Sequence, residues 1–235
     1  YRFLKTLAER NEQIGLAAVI RTSPTSFFSA GMGSSLDPAE EAEDARPTGF
    51  PETPELLNRF DAIILDTRAI SHLAPAAASA MEGFVDRRGG GLLFVGPVET
   101  PAGVWRDLLP GLAAEAGAPK RQERLDANPE FIFDLDPARA LDTPAGLPLA
   151  AGEPLWLSRE IKPGARPALT VRHADVTVLA AQSYGSGRTA YLGLESSWRW
   201  RLGDAGGEQA HAAFWNAALV WLASSSRQRL RAPCD

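Results

Sequence analysis

FDAIILDTRAISHLAPAAASAMEGFVDRRGGGLLFVG, residues 60–96, is the stretch whose reading decides the fold. Its opening, Phe60-Asp-Ala-Ile-Ile-Leu-Asp66, holds an unbroken apolar run, the pattern of a parallel strand covered on both faces. A helix is predicted over about residues 75–88. Pro75 suits its first turn, Ala77, Met81, Phe84 and Val85 share one face, and Arg87 and Arg88 complement the dipole at its end. Gly89-Gly90-Gly91 stops that helix, and Leu92 to Val95 forms the next strand. Strand, helix and strand in this order imply a right-handed crossover and a parallel sheet.

Working outward, residues 1–13 read as a helix, with Phe3, Leu4, Leu7 and Ala8 at helical spacing. Ile14 to Ile20 reads as a strand. Residues 22–53 are rich in Ser, Pro, Gly and acidic side chains and read as a long loop anchored by Phe27 and Phe28, with Glu40 to Asp44 a solvated acidic face. A short helix is expected over 103–109. Beyond it, signals are weak from 117 to 154, apart from a candidate strand at Phe131 to Leu135. Residues 154–194 read as antiparallel strands, the last two joined by the hairpin signal Gly185-Ser186-Gly187. A closing helix over about 207–224 carries His211, Phe214, Trp215, Ala218, Leu219 and Leu222 on one stripe.

The 235 residues suffice for one α/β domain with a core that needs no disulfide. The single cysteine, Cys234, rules out an internal disulfide. The net charge is -5, and no basic stretch is long enough to track a phosphate backbone, so nucleic acid is not an expected partner. No apolar run reaches the length of a membrane span. The chain starts at Tyr1 and reads as an excised fragment of a longer protein.

Three segments together carry a resemblance: Phe60 to Asp66, Phe84 to Gly96, and Gly187-Arg-Thr-Ala-Tyr-Leu-Gly-Leu-Glu-Ser-Ser-Trp-Arg-Trp-Arg201. In order and spacing they resemble the class I glutamine amidotransferase-like domain of large bacterial membrane proteins, whose neighbours often include von Willebrand factor A-type domains. The resemblance implies a flavodoxin-like three-layer α/β sandwich, with a mainly parallel sheet and an antiparallel late hairpin. It implies one domain over 1–235, a first strand upstream of Tyr1, membrane attachment through segments outside the fragment, and an extracytoplasmic position.

A class I amidotransferase needs a Cys on a tight strand-to-helix turn, activated by a His that an acid orients. In the family the nucleophile stands just after the strand Leu92 to Val95. Here that place holds Gly96, Pro97 and Val98, none of which can attack a carboxamide. The His-Pro-Glu expected after the late hairpin falls at Leu194, Glu195 and Ser196, which keeps an acid and lacks the imidazole. Catalytic residues are therefore none. The three histidines do not replace the pair. His72 reads as a loop residue, His173 as part of a turn beside Asp175, and His211 as a core histidine. Their spacing does not fit a metal site. The Gly89 to Gly91 run precedes a strand, whereas a dinucleotide fingerprint follows one, so no cofactor is expected.

On a parallel sheet, ligands bind beyond the C-terminal strand ends. Asp66 and Arg68 leave one strand, Gly96 and Glu99 another, and Glu195, Ser196 and Trp198 the late hairpin. These seven residues form a candidate pocket for a small polar ligand or a protein partner. A blander reading pairs Arg68 with Asp66 or Glu99 and packs Trp198 under the last helix. The expected function is a non-catalytic binding or assembly module. The alternative is a hydrolase of altered chemistry with Glu99 or Glu195 as base.

Overall fold

The strand–helix–strand unit read from residues 60–96 forms as expected. The computed structural model describes residues 2–11, 14–24, 26–31, 50, 52–97, 102–128, 147–172, 176–202 and 206–229. Its helices are α1 (Arg2–Glu9), α2 (Pro54–Leu57), α3 (Pro75–Asp86), α4 (Val104–Leu108) and α5 (Gly207–Arg229). Its strands are β1 (Ala17–Ser23), β2 (Ser26–Gly31), β3 (Ala62–Asp66), β4 (Gly91–Val95), β5 (Gly111–Gly117), β6 (Glu123–Ala127), β7 (Leu147–Leu149), β8 (Leu155–Ile161), β9 (Arg166–Val171), β10 (Thr177–Tyr184) and β11 (Gly187–Leu192). Two 3-10 turns, Thr67–His72 and Ser197–Leu202, follow β3 and β11.

β4 is the hub of a mixed α/β sheet. It pairs in parallel with β3 on one side and β11 on the other, so that Asp66, Val95 and Leu192 stand level. Alternate residues of β4 serve two cores, as the period of a strand requires. Leu93 packs with Leu192, Trp200, Phe214 and Leu222 on the α5 face. Leu92 and Phe94 pack with Met81, Phe84, Leu108 and Tyr191 on the α3 face. Helices thus cover both faces of the parallel strands, and this explains the apolar run through Val95.

α3 ends as its glycines dictate. Gly89 adopts a φ of 85°, and the amides of Gly89 and Gly90 return to the carbonyls of Val85 and Phe84.

Antiparallel pairing extends well beyond the late hairpin. β10 pairs with β11 across the two-residue turn Gly185-Ser186. β9 and β8 pair with β10, β6 with β9 and β7, and β5 with β8. Parallel pairing among the described strands joins β3, β4 and β11.

The reading of 22–53 as a loop needs a correction. β2 lies inside that segment and pairs antiparallel with β1 in a separate two-stranded sheet. The turn is held locally: the Thr22 hydroxyl donates to the Ser26 carbonyl at 3.2 Å, and the Arg21 guanidinium donates to the carbonyls of Ser23 and Pro24. Phe28 is half exposed and is not an anchor. The candidate strand at Phe131 to Leu135 lies outside the described residues. Among the described residues, no helix is long and apolar enough to cross a membrane.

Candidate functional site

The level C-terminal ends of β3, β4 and β11 bring four of the seven expected residues together. Asp66 caps the 3-10 turn that follows β3: its Oδ1 accepts from the Arg68 amide at 2.9 Å. This cap turns the Arg68 side chain toward the end of β11. There its guanidinium holds both carboxylate oxygens of Glu195, with Nη2 donating to Oε2 at 2.7 Å and Nη1 pairing with Oε1. Nη1 also lies 3.4 Å from Asp66 Oδ2. The hydrogen bond to Glu195 and the two nearby carboxylates raise the pKa of Arg68 above its ordinary value, although desolvation opposes them. The pair is a planar fork on a carboxylate, the geometry that suits arginine.

Gly96 lies beneath this pair. Its φ of 106° belongs to the left-handed region. A Cβ built on it would stand 2.8 Å from Glu195 Oε1 and 3.2 Å from Thr67 Oγ1. The missing side chain is therefore what admits Glu195. Thr67, which is nearly buried, donates to the carbonyl of Val95 at 3.2 Å or to that of Pro97. The Tyr191 hydroxyl donates to the Gly96 carbonyl at 3.0 Å, and burial pushes that phenol's pKa up.

Ser196 and Trp198 do not join this cluster. The Ser196 hydroxyl donates to buried Glu153, whose other oxygen accepts from the Ala150 amide at 2.9 Å. Trp198 stacks on Phe3 of α1, with centroids 6.1 Å apart and planes at 7°, and the Arg199 guanidinium lies 5.5 Å from its ring. Glu99 lies outside the described residues, as do His173 and Cys234. Thr67 leaves the same strand end as Asp66 and Arg68, as the sequence suggests, whereas sequence reasoning missed Tyr191 and Glu153. Tyr191 sits one step before the end of β11 and could have been found by extending the strand-end rule. Glu153 carries no such signal, being 43 residues before its partner Ser196.

His72 closes the 3-10 turn and is exposed. His211 is 3% exposed, with the rings of Phe3, Trp200 and Trp215 about it. Burial first, and the charge of Arg201 second, lower its pKa to about 4; Glu208 opposes them. It is thus a neutral core residue at pH 7. Because its folded pKa is depressed, the unfolded chain binds the proton more tightly. Its contribution is complete above the unfolded value of 6.5 and is lost as the pH falls toward 4. The loss is expected to be about 2 kcal/mol. Urea titrations from pH 7 to 4 on the protein and on His211→Phe check this. A wild-type slope no steeper than that of the variant contradicts it.

Among the described residues, no group of three or more His, Cys, Asp or Glu is placed to hold a metal ion. The chemistry available at the strand ends is that of a guanidinium, two carboxylates and the carbonyls around Gly96. It can hold charge and hydrogen bonds, and its carboxylate Glu195 is already committed to a cation.

No protein-family model and no curated protein matches this chain. Solved structures match in fold. Cytoplasmic protein STM3548 from Salmonella typhimurium is 14% identical, with a TM-score of 0.53 over 89% of this chain and 95% of its own. Cytoplasmic protein STM1381 from Salmonella typhimurium LT2 is 16% identical, with a TM-score of 0.50 over 89% of this chain and 96% of its own. At such identities the likeness is one of fold alone. A β-galactosidase from Rahnella sp. R3 aligns at 14% identity and a TM-score of 0.45, over 75% of this chain and 23% of its own.

Proposed function

We propose that this chain is a non-catalytic binding or assembly domain on a glutamine amidotransferase-like scaffold. In this reading the α/β fold is the flavodoxin-like three-layer type. The domain belongs to a membrane-anchored bacterial protein, with the anchor in segments outside it. Its strand-end edge receives a small polar ligand or a protein partner.

One observation carries the reading. The Arg68–Glu195 fork lies over Gly96, where the family's nucleophile would stand, and uses the acid that would orient the family's histidine. A carboxylate held on both oxygens by a guanidinium is poorly placed to take a proton from water. The fork is open to solvent on its Arg68 side, which is 55% exposed against 31% for Glu195, so a ligand can reach the guanidinium. A ligand with its own carboxylate or carboxamide can compete with Glu195 for Arg68.

Two measurements test this. Ammonia release from glutamine is expected to match the buffer blank, and turnover that Glu195→Gln abolishes would favour the hydrolase reading instead. A thermal-shift panel of amides, amino acids and sugars then separates the two non-catalytic roles. A ligand at about a hundred times its Kd adds roughly 2.7 kcal/mol to stability. A saturable rise that Arg68→Ala removes supports ligand binding at this edge, and a panel without a rise leaves assembly with a protein partner.

A further inference from the structure

The opposite edge of the sheet holds a second cluster of charge. β3 begins there after Asp61, and α3 ends there at Arg87 and Arg88. The Arg88 guanidinium is fixed on three sides. Its Nε donates to the Asn58 carbonyl at 3.1 Å, its Nη2 lies 3.6 Å from Asp61 Oδ1, and its central carbon stands 5.5 Å from the centroid of the Phe84 ring. The fourth group, Nη1, is buried and has no hydrogen-bond partner among the described residues. The Arg88 side chain as a whole is a quarter exposed, but a buried donor atom left unmet is costly and calls for a missing partner.

A cavity of about 340 Å³ adjoins it between α2 and α3. Its walls include Pro54, Ala80, Gly83, Phe84 and both arginines. Gly83 lies inside α3, where glycine lowers helix stability by about 1 kcal/mol relative to alanine. A Cβ at that position would stand 2.6 Å from Arg87 Nη2. The glycine therefore gives the second guanidinium its place along the cavity.

We infer that this cavity binds a small carboxylate with a short apolar stem. The carboxylate would lie between the Arg88 and Arg87 guanidiniums, with Nη1 of Arg88 donating to it after a small turn of the head group. The stem would lie against Pro54, Ala80 and the Phe84 ring. Charge selects the ligand further. The C-terminal end of α3 and the Asp61 carboxylate both disfavour a second negative charge, so a monoanion is preferred to phosphate. The site is separate from the strand-end edge and goes beyond the function proposed there.

Thermal-shift and calorimetric titrations with sodium butyrate, sodium phosphate and sodium chloride at matched ionic strength test this. Butyrate is expected to give a saturable rise in Tm that phosphate gives more weakly and chloride does not give. Arg88→Lys keeps the charge but loses the fork, and is expected to weaken butyrate binding about tenfold or more. Should that variant fail to fold, Arg87→Gln and the cavity-filling Ala80→Leu carry the same expectation. The proposal is overturned if butyrate gives no saturable change up to about 50 mM, a ceiling weaker than any useful affinity. It is equally overturned if the folded variants bind butyrate as the unaltered protein does.

Discussion

Gly193→Ala is expected to cost about 3 kcal/mol or more, a large share of the roughly 5–15 kcal/mol that holds an ordinary domain folded. The cause is backbone rather than side chain. A Cβ on Gly193 would stand 1.8 Å from the Trp156 carbonyl oxygen and 2.8 Å from its carbon. Neither partner can swing away. The Gly193 amide donates to the Val178 carbonyl at 2.8 Å, and its own carbonyl accepts from the Trp156 amide at 2.9 Å. One glycine thus joins the end of β11 to β10 and to β8. Moving it would also carry Glu195, two residues on, away from Arg68. Urea denaturation checks this, with Gly15→Ala as the control, since nothing lies within 4 Å of a Cβ there. A Gly193→Ala protein within about 1 kcal/mol of the parent contradicts the close approach.

Trp200→Ala is expected to cost about 3–5 kcal/mol. Trp200 is 1% exposed and is the largest fully buried side chain described. It meets Phe214 edge-on with centroids 5.2 Å apart, and it meets His211 at 6.4 Å. Truncation would leave a cavity between the 3-10 turn Ser197–Leu202 and α5. Trp200→Phe separates volume from polarity. The indole Nε1 is buried with no hydrogen-bond partner among the described residues, so phenylalanine removes an unmet donor together with part of the ring. Its cost is expected to stay below about 1.5 kcal/mol. Equal losses for the two variants would contradict the cavity account, since phenylalanine fills most of the volume that alanine leaves empty.

Legibility in the sequence followed the range of the interactions. α3 and β4 were readable because their determinants lie within a few residues: Pro75 at the first turn, the stripe through Met81 and Val85, the glycines at the end. The β10–β11 hairpin was readable from Gly185-Ser186-Gly187 for the same reason. β2, β6 and β7 were not. Glu-Arg-Leu-Asp-Ala, the whole of β6, has little strand character of its own and is extended because β7 and β9 flank it. At the site, topology alone gathered Asp66, Arg68, Gly96 and Glu195. The same rule misplaced Ser196 and Trp198, because a short 3-10 turn redirects successive side chains to different neighbours.

What the sequence by itself determined is the strand–helix–strand unit of residues 60–96, its glycine stop, and the absence of a thiol and an imidazole at the expected places. Those are statements about residue identity and local pattern, and no packing is needed to make them. What only the tertiary structure decided is pairing. The sequence offered Arg68 the acids Asp66 and Glu99; the level ends of β3 and β11 bring it Glu195 instead of leaving it to Asp66 alone, which caps the turn and stays 3.4 Å from the guanidinium. The reason is geometric. A guanidinium meets whichever carboxylate the backbone sets within 3 Å of it, and that distance belongs to the assembled sheet.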